Sequence, residues 1–364
     1  MTWHRKSSIA VLALGLLAGT GFTSGPGPSW QLTDTGATAR FRGLAPVSAT
    51  VAWAAGSAGT ILRTVDGGHT WASVGPPEAA ALQFRDIEAF GPRDAVALTI
   101  GNGTDSRIYT TSDGGATWAE TFRNNDPAAF YDCVTFLDRR HGLALSDPVD
   151  GRFRILATRD GGRHWQVQPT DGMPDALPGE FAFAASGTCL VSTSPTAGSH
   201  GSAAGPGSHR PGGGHAWFAT GGDTTARVFS TRDGGRNWTV RNTPIPSGAS
   251  AGIYSLAFRD PKNGIAVGGD YAAETSAPDG AAVTRDGGRT WTVSRTEPGE
   301  YRSGVAWRGR TALAVGPTGS DISYDGGLTW RRFDTGSFDA VACTPTGACW
   351  ASGRDGRIAR LTHR

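Results

Sequence analysis

Methionine is scarce in this chain, with 2 in 364 residues, and lysine occurs only at Lys6 and Lys262. There are only 4 cysteines, and they suit an oxidising compartment. No glycine-rich dinucleotide fingerprint follows a strand and opens a helix, so an oxidoreductase reading finds no cofactor site. The apolar run near the start, Ile9–Ala18, is shorter than the roughly 20 residues of a membrane-spanning helix. It follows His4, Arg5 and Lys6 and precedes small residues, so residues 1–20 read as a signal peptide, with cleavage expected near Thr20. Export to the periplasm or the exterior follows. Removing that segment takes Arg5 and Lys6 but no acid, and leaves 32 basic against 32 acidic residues. A neutral chain carries no general field for nucleic acid.

Glycine, at 54, and tryptophan, at 12, are abundant, and the 21 prolines argue against long helices. Together they point to packed strands joined by tight turns. One octapeptide recurs six times: TVDGGHTW from Thr64, TSDGGATW from Thr111, TRDGGRHW from Thr158, TRDGGRNW from Thr231, TRDGGRTW from Thr284 and SYDGGLTW from Ser323. The spacings are 47, 47, 73, 53 and 39 residues; periods of roughly 40 to 50 suit a four-stranded propeller blade, and the segment 193–214 swells the third interval. An apolar second-strand pattern recurs seven times, from TVAWAAG at Thr50 to ACWASG at Ala348. The last copy is followed by GRIARLTHR, a third strand with no fourth. SWQLTDTG at Ser29 resembles TWRRFDTG at Thr329, so the N-terminal segment is expected to supply the missing outer strand and close the ring. The expectation is an all-β, seven-bladed propeller over residues 29–364, preceded by a linker over 21–28. Residues 193–214, rich in Gly, Ser, Pro and His, read as a disordered loop within blade 4. A monomer is expected.

Asp-Gly between strands is a hairpin signal, because the turn needs positive φ and glycine adopts it without strain. Asp66, Asp113, Asp160, Asp233, Asp286 and Asp325 are therefore read as structural, each carboxylate locking its turn. Trp71, Trp118, Trp165, Trp238, Trp291 and Trp330 are expected to pack between blades with their N–H groups satisfied locally.

The motif S/T-x-D-G-G-x-x-W resembles the Asp-box, or BNR repeat, of sialidase-type propellers. Seven blades in one exported domain most resemble the photosystem II stability/assembly factor family and its relatives in non-photosynthetic bacteria. That resemblance covers residues 29–364. It implies a non-catalytic scaffold that helps assemble or stabilise a protein partner, with a membrane-protein subunit among the candidates, and no cofactor.

Binding residues are sought at the channel mouth. Aligning the innermost strands brings Arg42, Arg85, Asp132, Thr188, Tyr254, Ser303 and Asp339 to one position, with Asp86 and Cys133 at the next and Arg302 one residue further out. Convergent polar groups in a concavity form the default binding site. The bland alternative is a hydrated mouth of paired charges. A second function class is a glycan-active or glycan-binding protein: Arg42, Arg85 and Arg302 with Tyr301 and Glu300 caricature a sialidase site, and Asp86, Asp132 and Asp339 offer carboxylates. Against it, FRGL at Phe41 half matches the sialidase start, and sialidases have six blades.

Three consecutive octapeptides carry arginine pairs, Arg159 and Arg163, Arg232 and Arg236, Arg285 and Arg289, an arc that fits an acidic partner. Cys343 and Cys349 flank TPTGA and are expected to form a disulfide. Cys133 and Cys189 hold equivalent places in neighbouring blades and are expected to point the same way round the ring, as separate small buried residues. His200, His209 and His215 are expected to be solvated, and no metal site is predicted.

Overall fold

Each blade is a four-stranded antiparallel meander whose first strand lies innermost and whose fourth lies outermost. The computed structural model describes residues 27–193 and 214–363. Among these, seven four-stranded sheets are arranged as the blades of one propeller. Blade 1 runs from Phe41 to Ser73, blade 2 from Gln83 to Arg123, blade 3 from Tyr131 to Val167 and blade 4 from Leu190 to Asn242. Blade 5 runs from Ala251 to Val293 and blade 6 from Gly304 to Asp334. Blade 7 combines Ala340–Cys343, Cys349–Ser352 and Ile358–His363 with the N-terminal strand Pro28–Thr33. Trp30 pairs with Leu361 in that closure, as the sequence expectation had it. The expected signal peptide and most of the loop at 193–214 lie outside the described residues.

Burial falls from the axis outward because each blade packs against both neighbours. The second strand Ala95–Ile100 is buried at Ala95 through Thr99 on both faces, so it reads as a continuous apolar run. The outer strand Trp238–Asn242 buries Trp238 and exposes most of the rest. The core lies in the seams. Between blades 4 and 5, Trp217 stacks on Phe258 at 3.8 Å. At the closing seam Trp30 sits 5.9 Å from Phe333 and 5.6 Å from Phe338 and donates Nε1–H to Ser320 Oγ at 2.9 Å. A fully buried aromatic of this kind contributes about 1.5–3 kcal/mol.

The octapeptide is a self-contained turn. Thr64 Oγ1 donates to Asp66 Oδ1 at 2.8 Å and accepts from Gly68 N at 2.9 Å. Thr70 donates its backbone N–H to Asp66 Oδ1 and its hydroxyl to Oδ2, at 3.0 and 2.6 Å. Gly67 and Gly68 have φ of 78° and 85°, which an L side chain adopts only with strain. Hydrogen bonds from Thr70 and Thr64 hold the Asp66 carboxyl well below the usual carboxylate range. In blade 2 those from Thr117 and Thr111 bring Asp113 down to about 2. The tryptophans pack in the seams, as in the edge-on Trp53–Trp118 pair at 6.2 Å. Their N–H groups diverge. Trp165, Trp238 and Trp330 bond a carbonyl of their own turn, Gly162, Gly235 and Gly327. Trp71 and Trp118 reach Thr33 Oγ1 and Val74 O. Trp291 Nε1 is buried with no partner among the described residues, which corrects the expectation of uniform local satisfaction.

Both cysteine pairs are bonded. Cys343–Cys349 spans its hairpin as expected. The bond between Cys133 and Cys189 corrects the sequence reading. Side chains at this position reach across the seam to the next blade instead of lining the channel. Asp86 Oδ2 accepts from Val134 N of blade 3 at 2.7 Å, and Ser255 Oγ accepts from Val305 N of blade 6 at 2.9 Å. Equivalent residues in adjacent blades are therefore neighbours, and the two cysteine Cα atoms stand 6.1 Å apart.

Candidate functional site: the channel mouth

The first strand of each blade begins on one face of the ring, and the octapeptide turns project from the other. The candidate mouth residues owe their placement to β-bulges. Register shifts fall between Phe41 and Gly43, Phe84 and Asp86, Tyr131 and Cys133, and Ile253 and Ser255. The bulged residues are Arg42, Arg85, Asp132 and Tyr254. A bulge leaves one residue out of the ladder and re-aims its side chain.

Around blades 7 and 1 these groups form a charged rim. Arg40 grips Asp339 with both arms, Nε to Oδ2 at 2.7 Å and Nη2 to Oδ1 at 2.5 Å. This partner was missed in the sequence, where the two residues are 299 positions apart. Arg42 is half-buried, and its Nε has no hydrogen-bond partner among the described residues. Burial lowers its pKa; Asp339 and Tyr301 oppose that effect, while Arg40 and Arg354 add to it. Arg354 pairs loosely with Glu274 at 3.8 Å. Three guanidinium groups thus share two carboxylates, and Arg42 is the one without its own.

The rest of the mouth is closed by the protein's own chain. Residues 181–187, leading into blade 4, lie across it. Arg85 Nη1 donates to Ala184 O at 3.0 Å on one side. On the other, Phe183 stacks on Tyr254 at 3.9 Å, and Tyr254 meets Tyr301 edge-on at 4.8 Å. Tyr254 spends its hydroxyl on Ser250 O at 2.6 Å. A Cβ on Gly187 would lie 2.4 Å from Asp86 Oδ1, so glycine is required for the segment to seat. The open concavity expected from sequence is thus filled by an aromatic plug.

Asp132 is buried with Oδ2 unpartnered, and burial beside Asp147 pushes its carboxyl well up. Asp147 accepts from Ala182 N of the plug at 2.8 Å, and burial raises it to about 7. Sequence reasoning passed over Asp147, though a signal existed: in GLALSD an acid stands where blades 4 and 5 have Gly221 and Gly269.

Arg302 leaves the mouth. It is fully buried, with Nε bonded to Asp321 Oδ2 at 2.7 Å and Nη1 to Tyr301 O and Thr318 Oγ1, both at 2.9 Å. Glu300 pairs with Arg332, and Tyr301 is buried in the aromatic cluster. Arg302 and Glu300 are thereby withdrawn from the arginine–tyrosine–carboxylate set, whereas Arg42, Tyr301 and Asp339 stay within electrostatic reach of one another. No group of three or more His, Cys, Asp or Glu side chains suited to a metal occurs among the described residues.

A shallow groove of about 430 Å³ adjoins the charged rim, running along the seam of blades 7 and 1 past Ala39, Ser57, Leu62 and Trp71. The backbone N–H of Arg40 donates to Ser57 Oγ at 3.0 Å, which ties this lining residue to the chain that carries the rim. A second groove, of about 490 Å³, lies between blades 2 and 3, where Arg154 is already paired with Asp126 at 2.8 Å.

The fold and the mouth define a ring-closed, seven-bladed propeller with a plugged axis and a cationic rim. No family model matches the chain, and no curated protein matches it. Among solved structures it is similar to YCF48 bound to D1 peptide, with a TM-score of 0.63 at 14% identity over 92% of this chain and 95% of that one. It is also similar to YCF48 from Cyanidioschyzon merolae, with a TM-score of 0.62 at 16% identity over 91% of this chain and 98% of that one. The resemblance to photosystem II assembly-factor propellers, drawn from the octapeptides, holds at the level of fold.

Proposed function

We propose that the protein is an exported, non-enzymatic scaffold that holds a segment of a protein partner across the mouth face, with Arg42 as the anchor for a partner carboxylate. The observation that carries this reading is the half-buried guanidinium of Arg42, which has no carboxylate of its own at the charged rim. A carboxylate brought to it gains a charge-assisted, two-pronged hydrogen bond and relieves the repulsion from Arg40 and Arg354. The plug supports binding over turnover, because it fills the place where a substrate would enter the axis. That YCF48 has been solved with a D1 peptide supports a peptide or protein ligand for this fold. A partner that is a membrane-protein subunit, an Asp-box origin for the octapeptide, and delivery by residues 1–20 are parts of the same proposal.

The glycan reading gains less support, since Arg302 is committed to Asp321 and Arg85 to a backbone carbonyl. The test is affinity capture from native envelope extract with the wild-type chain and with Arg42→Ala. A membrane-protein subunit retained by the first and lost by the second supports the scaffold. Recovery of glycans alone, or of the same proteins by both, overturns it.

A further inference from the structure

The face opposite the mouth carries a feature that the scaffold reading does not use. The third strands of blades 3, 4 and 5 end in the same register, with Thr158 opposite Gly142, Thr231 opposite Ala216 and Thr284 opposite Gly264. Each is followed by the same turn, so residues two and six of each octapeptide stand at one height above the ring. In these blades both positions are arginine, and all six side chains are exposed: Arg159, Arg163, Arg232, Arg236, Arg285 and Arg289. In blades 1, 2 and 6 the same positions hold Val65 and His69, Ser112 and Ala116, and Tyr324 and Leu328. At these octapeptide positions arginine is therefore confined to one sector, although Arg93 of blade 2 and Arg310 of blade 6 are exposed on first-to-second-strand turns of the same face.

The turn aspartates are ionised and leave each octapeptide with one net positive charge, but none of them pairs with these arginines. Asp160, Asp233 and Asp286 each take backbone N–H bonds through Oδ1, and their Oδ2 atoms are held by His164, Asn237 and Thr290. None of the six guanidinium groups makes an ion pair among the described residues. Arg139, Arg140 and Lys262, on the adjoining first-to-second-strand turns, are exposed as well, against Asp138 and Asp260.

We infer that this arc docks the propeller on an anionic phospholipid surface, with the mouth facing away from the bilayer. The planar array is what favours lipid. Six guanidinium groups held at one height by repeat equivalence can all meet a flat layer of headgroup phosphates within a Debye length of roughly 8 Å, whereas a convex acidic protein would meet one or two pairs. Guanidinium also presents a fork that matches phosphate oxygens. The inference does not depend on what the mouth binds.

The test is sedimentation of the full chain with vesicles of phosphatidylcholine alone and of phosphatidylcholine and phosphatidylglycerol in equal parts. The neutral vesicles report any contribution of the apolar run Ile9–Ala18. Expected is added binding to the anionic vesicles, lost at about 1 M salt. Arg232→Ala with Arg236→Ala should lower that added partition about 30-fold, from about 1 kcal/mol per charge. The paired lysine replacements should retain most of it, and Arg241→Ala, on an outer strand, should change nothing. Thermal unfolding of each variant verifies the fold. No added binding to anionic vesicles, or added binding indifferent to the arc, overturns the inference. So does arc-dependent binding of soluble polyglutamate without vesicle binding, which would assign the surface to an acidic protein.

Discussion

The bond between Cys133 and Cys189 ties blades 3 and 4 together at the axis, across 56 residues of sequence, whereas Cys343–Cys349 closes only 6. Loop-closure entropy grows with the logarithm of the span, so the first bond should stabilise the fold by about 4 kcal/mol and the second by about 2 kcal/mol. Both cysteines of the axial pair are fully buried, so replacing them with alanine leaves little room for compensating solvation. Guanidinium unfolding of Cys133→Ala/Cys189→Ala and of Cys343→Ala/Cys349→Ala, under non-reducing conditions, should place the axial variant lower by about the difference of the two. Alkylation of the denatured, unreduced wild-type chain should find no free thiol. Two free thiols, or an axial variant as stable as the hairpin variant, would refute the view that equivalent positions in adjacent blades face each other.

Other consequences follow from the same geometry. Trp30→Ala removes the side chain that packs on Phe333 and Phe338 at the closing seam and should cost about 3–5 kcal/mol in chemical denaturation, as large aromatic truncations do. Breaking the buried pair with Arg302→Ala should cost about 3–5 kcal/mol, while Arg302→Met with Asp321→Leu should recover most of it. Asp147 has a folded pKa raised to about 7, so the folded state keeps a proton that the unfolded chain has lost. Its contribution to stability is therefore full below the unfolded carboxylate range and is lost as pH rises from about 4 to about 7, opposite in sense to that of the turn aspartates. Asp147→Asn should abolish that loss in a pH series of melting curves.

The ring was legible in the sequence because its signals repeat. Six Asp-Gly-Gly turns and seven second strands set the blade count, and the likeness of Ser29–Gly36 to Thr329–Gly336 revealed the closure. The mouth was legible only as a set of positions. Whether Arg42 is free depends on Arg40 taking Asp339 from across the chain, and no local pattern encodes that choice. Arg302 was placed at the mouth because it lies beside Ser303, yet it precedes the strand Gly304–Arg308 and its side chain runs into its own blade, toward Asp321. The plug at 181–187 was invisible because its role rests on tertiary stacking between Phe183 and Tyr254. The cysteine misreading came from treating equivalent side chains as parallel spokes, whereas at the axis they reach across the seams.

The central claim is that the mouth face, at the Arg42 rim, holds a protein segment. A photo-crosslinking residue at Ala272, on the exposed mouth-side loop of blade 5, and another at Leu32, on the outer closing strand, test it most directly in the native envelope. The account predicts a discrete protein adduct from position 272 that disappears with Arg42→Ala, and none from position 32. Adducts from position 272 that persist without Arg42, or glycan adducts alone, would contradict it.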